Sequence, residues 1–203
     1  MSHDTLLHRI VRPAVRAIAP TSVTPNHITT LRLLTAVAAA LAFAAGGATW
    51  PAVGGWIFLL SMLLDRADGE LARQTGRSSP AGHRYDVLSD CGANVLAVLG
   101  IGVGQAPALG AAGPLLGALA GAGIAALFWQ FTGLGLARYR SYALWGGRVV
   151  IDPDDAAIVL PVLGWCGAAA LMLAAAAAAT PLAALWLALR RPTEGRKVDG
   201  SQG

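Results

Sequence analysis

The chain has 203 residues, 55% of them hydrophobic and only 13% charged, with a mean hydropathy of +0.57. Soluble domains carry about 25% charged residues, so half that supply cannot coat a soluble surface, and the same composition excludes disorder. At about 20 residues per crossing, a polytopic helical membrane protein of this length holds six or seven helices. The net charge of +4 fits basic residues kept at a cytoplasmic membrane face, and no nucleic-acid partner is expected. Cys91 and Cys166 lie in apolar surroundings and form neither a disulfide framework nor a zinc-ligand spacing.

In chain order, residues 5–18 place Leu6, Leu7, Ile10, Ala14 and Ile18 at helical spacing against His8, Arg9, Arg12 and Arg16. That pattern predicts an amphipathic helix in the membrane interface despite Pro13, within an arm over residues 1–22. The early charges do not resemble a secretory signal. Thr24, Pro25 and Asn26 form a turn-and-cap signal, and apolar runs follow at about 28–46, 52–72, 87–104 and 113–137. The stretch 156–189 is long for one helix and short for two; Gly164 and Gly167 predict a break there in preference to Thr180-Pro181. The expected fold is therefore all-α, a single domain over 1–203 with six transmembrane helices, an interfacial N-terminal helix and a disordered cytoplasmic tail over 191–203. Gly113, Gly117 and Gly121 at four-residue spacing permit close helix packing, within one subunit or across a dimer face.

The 15 Lys and Arg residues test that topology. Arg9, Arg12, Arg16 and Arg32 go with the N-terminal side; Arg73, Arg77 and Arg84 with the connection at 73–86. Arg138, Arg140 and Arg148 go with the region 138–155, and Arg190, Arg191, Arg196 and Lys197 with the tail. Only Arg66 stands inside a span, and no basic residue falls in the three opposite loops. This positive-inside distribution predicts cytoplasmic termini and an even number of crossings.

One segment breaks the apolar composition. Asp65, Asp68, Glu70, Asp86 and Asp90 gather at the cytoplasmic ends of the second and third spans. A carboxylate at the bilayer centre costs about 2.5–3.5 kcal/mol, so four without partners would cost about 10–14 kcal/mol, comparable to a protein's whole net stability. The cost falls towards the interface, yet these acids still require a partner. At 100° per residue, Asp65, Asp68, Gly69, Ala72 and Arg73 share one helix face, and Asp86, Asp90 and Asn94 share one on the next. A short connection turning at Gly76, Pro80 and Gly82 lets the two faces meet. Carboxylates without His or Cys suit hard divalent cations such as Mg²⁺ or Mn²⁺. Gly69 and Ala72 clear space for a ligand, and Arg73 can reach a phosphate. Together these residues point to phosphoryl transfer on a diphosphate. Glu70 points off the shared face and reads as solvated or arginine-paired.

The run Asp65-x2-Asp68-Gly69-x2-Ala72-Arg73-x8-Gly82-x3-Asp86-x3-Asp90 resembles the complete signature of the CDP-alcohol phosphotransferases. Thr24-Pro25-Asn26-x2-Thr29 resembles the segment at the family's first span. The resemblance implies transfer of a substituted phosphate from a CDP-linked donor, with CDP-diacylglycerol expected, to a small alcohol, with release of CMP. It implies two divalent ions per site and a homodimer. By the same resemblance Asp65, Asp68 and Asp86 bind the metals with Asp90 beside them, and Asp90 is the catalytic base for the acceptor hydroxyl. Asn26, Thr29, Gly69, Ala72, Arg73, Ser79 and Gly82 join Asp65 and Asp68 around the CDP part of the donor. Arg138, Arg140 and Arg148 are acceptor-binding candidates or simple positive-inside anchors. The sequence around Asp86 and Asp90 departs from the Asp-Pro-x-Ala-Asp-Lys context of many phosphatidylglycerophosphate synthases, which weakens glycerol 3-phosphate as the acceptor. The expected location is a bacterial inner (plasma) membrane with the site facing the cytoplasm.

Rival readings explain less. A relative using a soluble CDP-alcohol and a lipid acceptor fits the same motif. A cation transporter or a metal-stabilised assembly protein accounts for the acids but not for Gly69, Ala72, Arg73 and Gly82. Membrane prenyltransferases fit the Gly-x2-Ala-Arg portion poorly.

Overall fold

The computed structural model describes residues 6–134, 142–144, 149–151 and 158–189. The helices follow the apolar runs: α1 Leu6–Ile18, α2 Pro25–Ala45, α3 Trp50–Thr75, α4 Pro80–Gly104, the single turn α5 Ala106–Leu109, α6 Ala112–Phe128, α7 Val159–Trp165 and α8 Ala169–Leu189. A π-helical turn, Trp129–Gly133, extends α6. The departure from an all-α chain is a short antiparallel ribbon, β1 Tyr142–Leu144 and β2 Val149–Ile151, with Ala143 opposite Val150.

Local chemistry sets the helix ends near the acidic segment. Thr24 caps α2, with Pro25 in the first turn, where its missing N–H costs nothing. Gly76 ends α3 in the left-handed region at φ 65°, which a side chain would strain. Ser79 then caps α4, its Oγ accepting from the Gly82 amide at 3.0 Å, with Pro80 next in sequence. The break expected between 164 and 167 lies after Trp165, where Gly167 has φ 69°, and Pro181 sits inside an unbroken α8.

α2 packs against both α3 and α4, α6 joins α4 to α8, and α7 lies on α3. The glycine stripe explains how α4 and α6 approach. A Cβ at Gly113 would lie 2.7 Å from Gly102 O, and one at Gly117 2.8 Å from Val98 O. Gly113, Gly117 and Gly121 are buried. Their small size therefore serves packing within one subunit.

Four helices are long and apolar enough to cross a membrane: Pro25–Ala45, Pro80–Gly104, Ala112–Gly133 and Ala169–Leu189. The expected six is thus four by length and composition among the described residues. α3 is the longest helix at 26 residues, about 39 Å. However, Asp65, Arg66, Asp68, Glu70 and Arg73 make its second half polar. α7 has 7 residues, about 10 Å, too short to cross alone. At the N-terminus, α1 buries Leu7, Val11 and Val15, while Ile10 is 55% exposed. Val11 and Val15 pack with Ile28 of α2 and Leu71 of α3. That part of its apolar stripe is covered by protein.

Candidate active site

The acids of α3 and α4 meet as their helical spacing predicts. Asp65, Asp68 and Asp86 bring one carboxylate oxygen each to within 4.8 Å of one another. Asp68 is the most enclosed, and Thr29 Oγ1 donates to its Oδ2 at 2.7 Å. Thr29, expected beside the donor, therefore holds a carboxylate of the cluster directly.

The principal correction concerns Arg32. Its sequence position suggests a place among the N-terminal basic residues, but α2 carries it into the centre of the acidic cluster. Its side chain is 4% exposed and spans three carboxylates. Nη1 lies 2.9 Å from Asp65 Oδ1 and 3.4 Å from Asp86 Oδ1, and Nη2 pairs with Asp90 Oδ1. Arg66 Nη1 adds a contact to Asp65 Oδ2 at 3.4 Å, consistent with a structural role. The available signal was a single Arg inside an apolar run, three residues after Thr29 and hence on the same helix face. Intramembrane arginines mark functional interiors, because they are too costly to face lipid.

The four carboxyl groups of Asp65, Asp68, Asp86 and Asp90 gather around the two guanidinium groups of Arg32 and Arg66. The converging trio lies in a half-buried pocket and offers oxygen ligands with no nitrogen or sulfur. Such an oxygen-donor group fits a hard divalent cation. Asp90 lies at the edge of this set, held by Arg32.

The other sequence-predicted residues line the cytoplasm-expected end of the same helices. A Cβ on Gly82 would lie 3.0 Å from Ser79 Oγ and 3.2 Å from Asn26 Oδ1, so these three residues are close neighbours. Gly69 leaves the α3 backbone open, the nearest neighbour of a Cβ there being Arg73 Nη1 at 3.5 Å. Ala72 is half-buried on the same face. Arg73 is partly exposed and donates to Glu70 Oε2 at 2.7 Å. Glu70 is buried and arginine-paired, and Arg12 of α1 also approaches it at 3.5 Å. The basic residues Arg138, Arg140 and Arg148 and the tail 191–203 lie outside the described residues.

On the other side of Arg32 and Asp90 is a cavity of about 650 Å³. Asp65 and Asp90 stand at one end, and Phe58 of α3 and Val98 of α4 line it about 10–12 Å further along those helices. Its remaining wall comes from α6, α7 and α8.

Apolar helices that enclose a carboxylate cluster, a glycine-opened helix face and a phosphate-competent arginine define a membrane-embedded group-transfer protein. The sequence model of the CDP-alcohol phosphatidyltransferase family matches residues 22–191, and the chain belongs to that family. No curated protein matches it.

Proposed function

We propose that the protein transfers a phosphatidyl group from CDP-diacylglycerol to a small alcohol, releasing CMP, as a step in phospholipid synthesis. The observation that carries this reading is the convergence of the Asp65, Asp68 and Asp86 carboxylate oxygens within 4.8 Å of one another, beside Arg32 and Arg66. Two divalent ions, Mg²⁺ or Mn²⁺, would join this oxygen set to a diphosphate. Asp65, Asp68 and Asp86 would hold these ions, with Asp90 adjacent. When bound, the ions supply Lewis-acid stabilisation of the diphosphate and of the departing CMP phosphate.

The chain's own residues supply the rest. The Asn26–Ser79–Gly82 cluster and the open Gly69–Ala72 face seat the CDP portion, and Arg73 meets its phosphates. Asp90, fixed by Arg32, accepts the proton of the acceptor hydroxyl. The hydroxyl oxygen forms a bond to the phosphatidyl phosphorus, the bond from that phosphorus to the CMP oxygen breaks, and CMP leaves with the electron pair. Arg138, Arg140 and Arg148 would supply cationic contacts for a phosphorylated acceptor. Six crossings, α3 among them, put both termini and the site on the cytoplasmic side of a bacterial inner membrane, with α1 at the interface. The active form is a homodimer.

The test is CMP release by purified protein given labelled CDP-diacylglycerol, Mg²⁺ and a panel of phosphorylated and unphosphorylated alcohols. One acceptor should support turnover that a chelator abolishes. Absence of CMP release with every acceptor defeats the donor assignment.

A further inference from the structure

We propose that Glu70 is a positioning residue: anchored by Arg12 of α1 and by Gln74, it holds Arg73 over the open Gly69 face that receives the donor phosphates. This inference rests on the transferase reading and adds what orients its phosphate-binding arginine. Arg73 Nη2 donates to Glu70 Oε2 at 2.7 Å, while Arg73 Nη1 lies 3.5 Å from the position of a Cβ on Gly69. The guanidinium is thus held at one end by the carboxylate and reaches over the glycine with the other. Glu70 is itself fixed. Gln74 Nε2 donates to its Oε1 at 2.9 Å, and Arg12 Nε lies 3.5 Å from the same oxygen. The Glu70 side chain is 9% exposed against 35% for Arg73, so the anchor is enclosed while the arginine it holds is open to a ligand.

The packing of α1 supplies this arrangement. Val11 and Val15 pack with Leu71, which follows Glu70 in α3 and is fully buried. That contact sets Arg12 beside Glu70. Arg77 Nη1 also donates to Val23 O at 3.3 Å, tying the end of α3 to the segment between α1 and α2. An arginine side chain has many rotamers, and a phosphate that binds a loose one must first order it. Pairing with a fixed carboxylate removes part of that entropy before the donor arrives. One contact to Glu70 leaves further N–H donors of the guanidinium for phosphate oxygens. Glu70 lies off the face shared by Asp65, Asp68 and Gly69, so it acts on the donor through Arg73 and not by contact.

The test is equilibrium titration of the intact protein with CDP and Mg²⁺, together with steady-state kinetics on CDP-diacylglycerol. Glu70→Gln and Arg12→Met should each weaken CDP binding about two- to fivefold, the factor equivalent to about 0.4–1 kcal/mol for a partly exposed ion pair. KM for the donor should rise by the same factor while kcat holds. Arg12→Lys, which keeps the charge, should recover most of the affinity. In an Arg73→Met background neither substitution should weaken CDP further, because the effect passes through Arg73. A merely structural role would lower affinity equally in both backgrounds, and that result overturns the proposal. Unaltered CDP binding in both single variants overturns it too. Should Arg12→Met fail to fold, Arg12→Gln carries the same expectation. The predicted pattern of CDP binding without CMP release from any acceptor would remove the transferase reading and leave the role of Glu70 standing. A parent protein that binds no CDP removes both.

Discussion

Replacing Arg32 by methionine removes the guanidinium between α2 and the carboxylates of α3 and α4, while keeping an unbranched side chain of similar reach. Ser61 still binds the Arg32 backbone carbonyl, so the α2–α3 contact is retained. Asp65, Asp86 and Asp90 are left facing one another without their shared cation. Breaking a buried ion pair by removing one partner costs about 3–5 kcal/mol. Asp65 is 14% exposed and contributes most, whereas Asp86 at 34% and Asp90 at 30% are partly screened by solvent. We therefore expect the lower part of that range, about 3 kcal/mol, or about 6–12 °C in Tm for a chain of this size. Thermal unfolding in detergent with a chelator should show that drop. Divalent cation should recover more Tm in Arg32→Met than in the parent, because an ion replaces the missing positive charge. Arg32→Lys should fall between the two, since a point-like ammonium cannot span three carboxylates as the planar guanidinium does. If Arg32→Met melts with the parent in chelator and gains nothing extra from Mg²⁺, the assignment of Arg32 as the buried counter-charge is wrong.

Asp90→Asn should lower kcat by about 10²–10⁴-fold while CDP-donor binding, measured by equilibrium titration, is largely preserved; lost donor binding with intact chemistry at saturation contradicts the proposed role. Glu70→Gln should raise KM for the CDP donor several-fold at nearly constant kcat, because the partner 2.7 Å from Arg73 loses its negative charge. It should also speed proteolysis within α1, which loses the Arg12 contact. An unaltered donor KM would show that Glu70 does not orient Arg73. Gly117→Leu should destabilise by about 1–3 kcal/mol, since its first side-chain carbon already lies 2.8 Å from Val98 O. An unchanged Tm would mean that α4 and α6 can separate without loss.

Much of the architecture is local and therefore legible in the sequence. Thr24-Pro25, Gly76, Ser79-Pro80 and Gly167 mark helix ends because caps, proline and left-handed backbone depend on immediate neighbours. The shared face of Asp65 and Asp68, and that of Asp86 and Asp90, follow from a fixed 100° rotation per residue. The membrane class follows from charge scarcity. The number of crossings is less direct: the same charges that build the site lower the hydropathy of α3, so a length-and-composition criterion passes over it.

Arg32 marks the boundary of that local reading. Its spacing from Thr29 is a property of α2, but its pairing with Asp90 spans 58 positions and depends on α2 seating against both α3 and α4. Residue spacing likewise leaves open whether Gly113, Gly117 and Gly121 pack inside one subunit; the approach of α4 settles it. The 650 Å³ cavity is a property of several helices together, and no short segment encodes it. The sequence by itself determined the membrane class, the helix ends and the acidic faces, because each rests on composition or on neighbouring residues. Tertiary structure alone decided which cation pairs with those faces and what space adjoins them, because burial and charge pairing depend on helices distant in the chain.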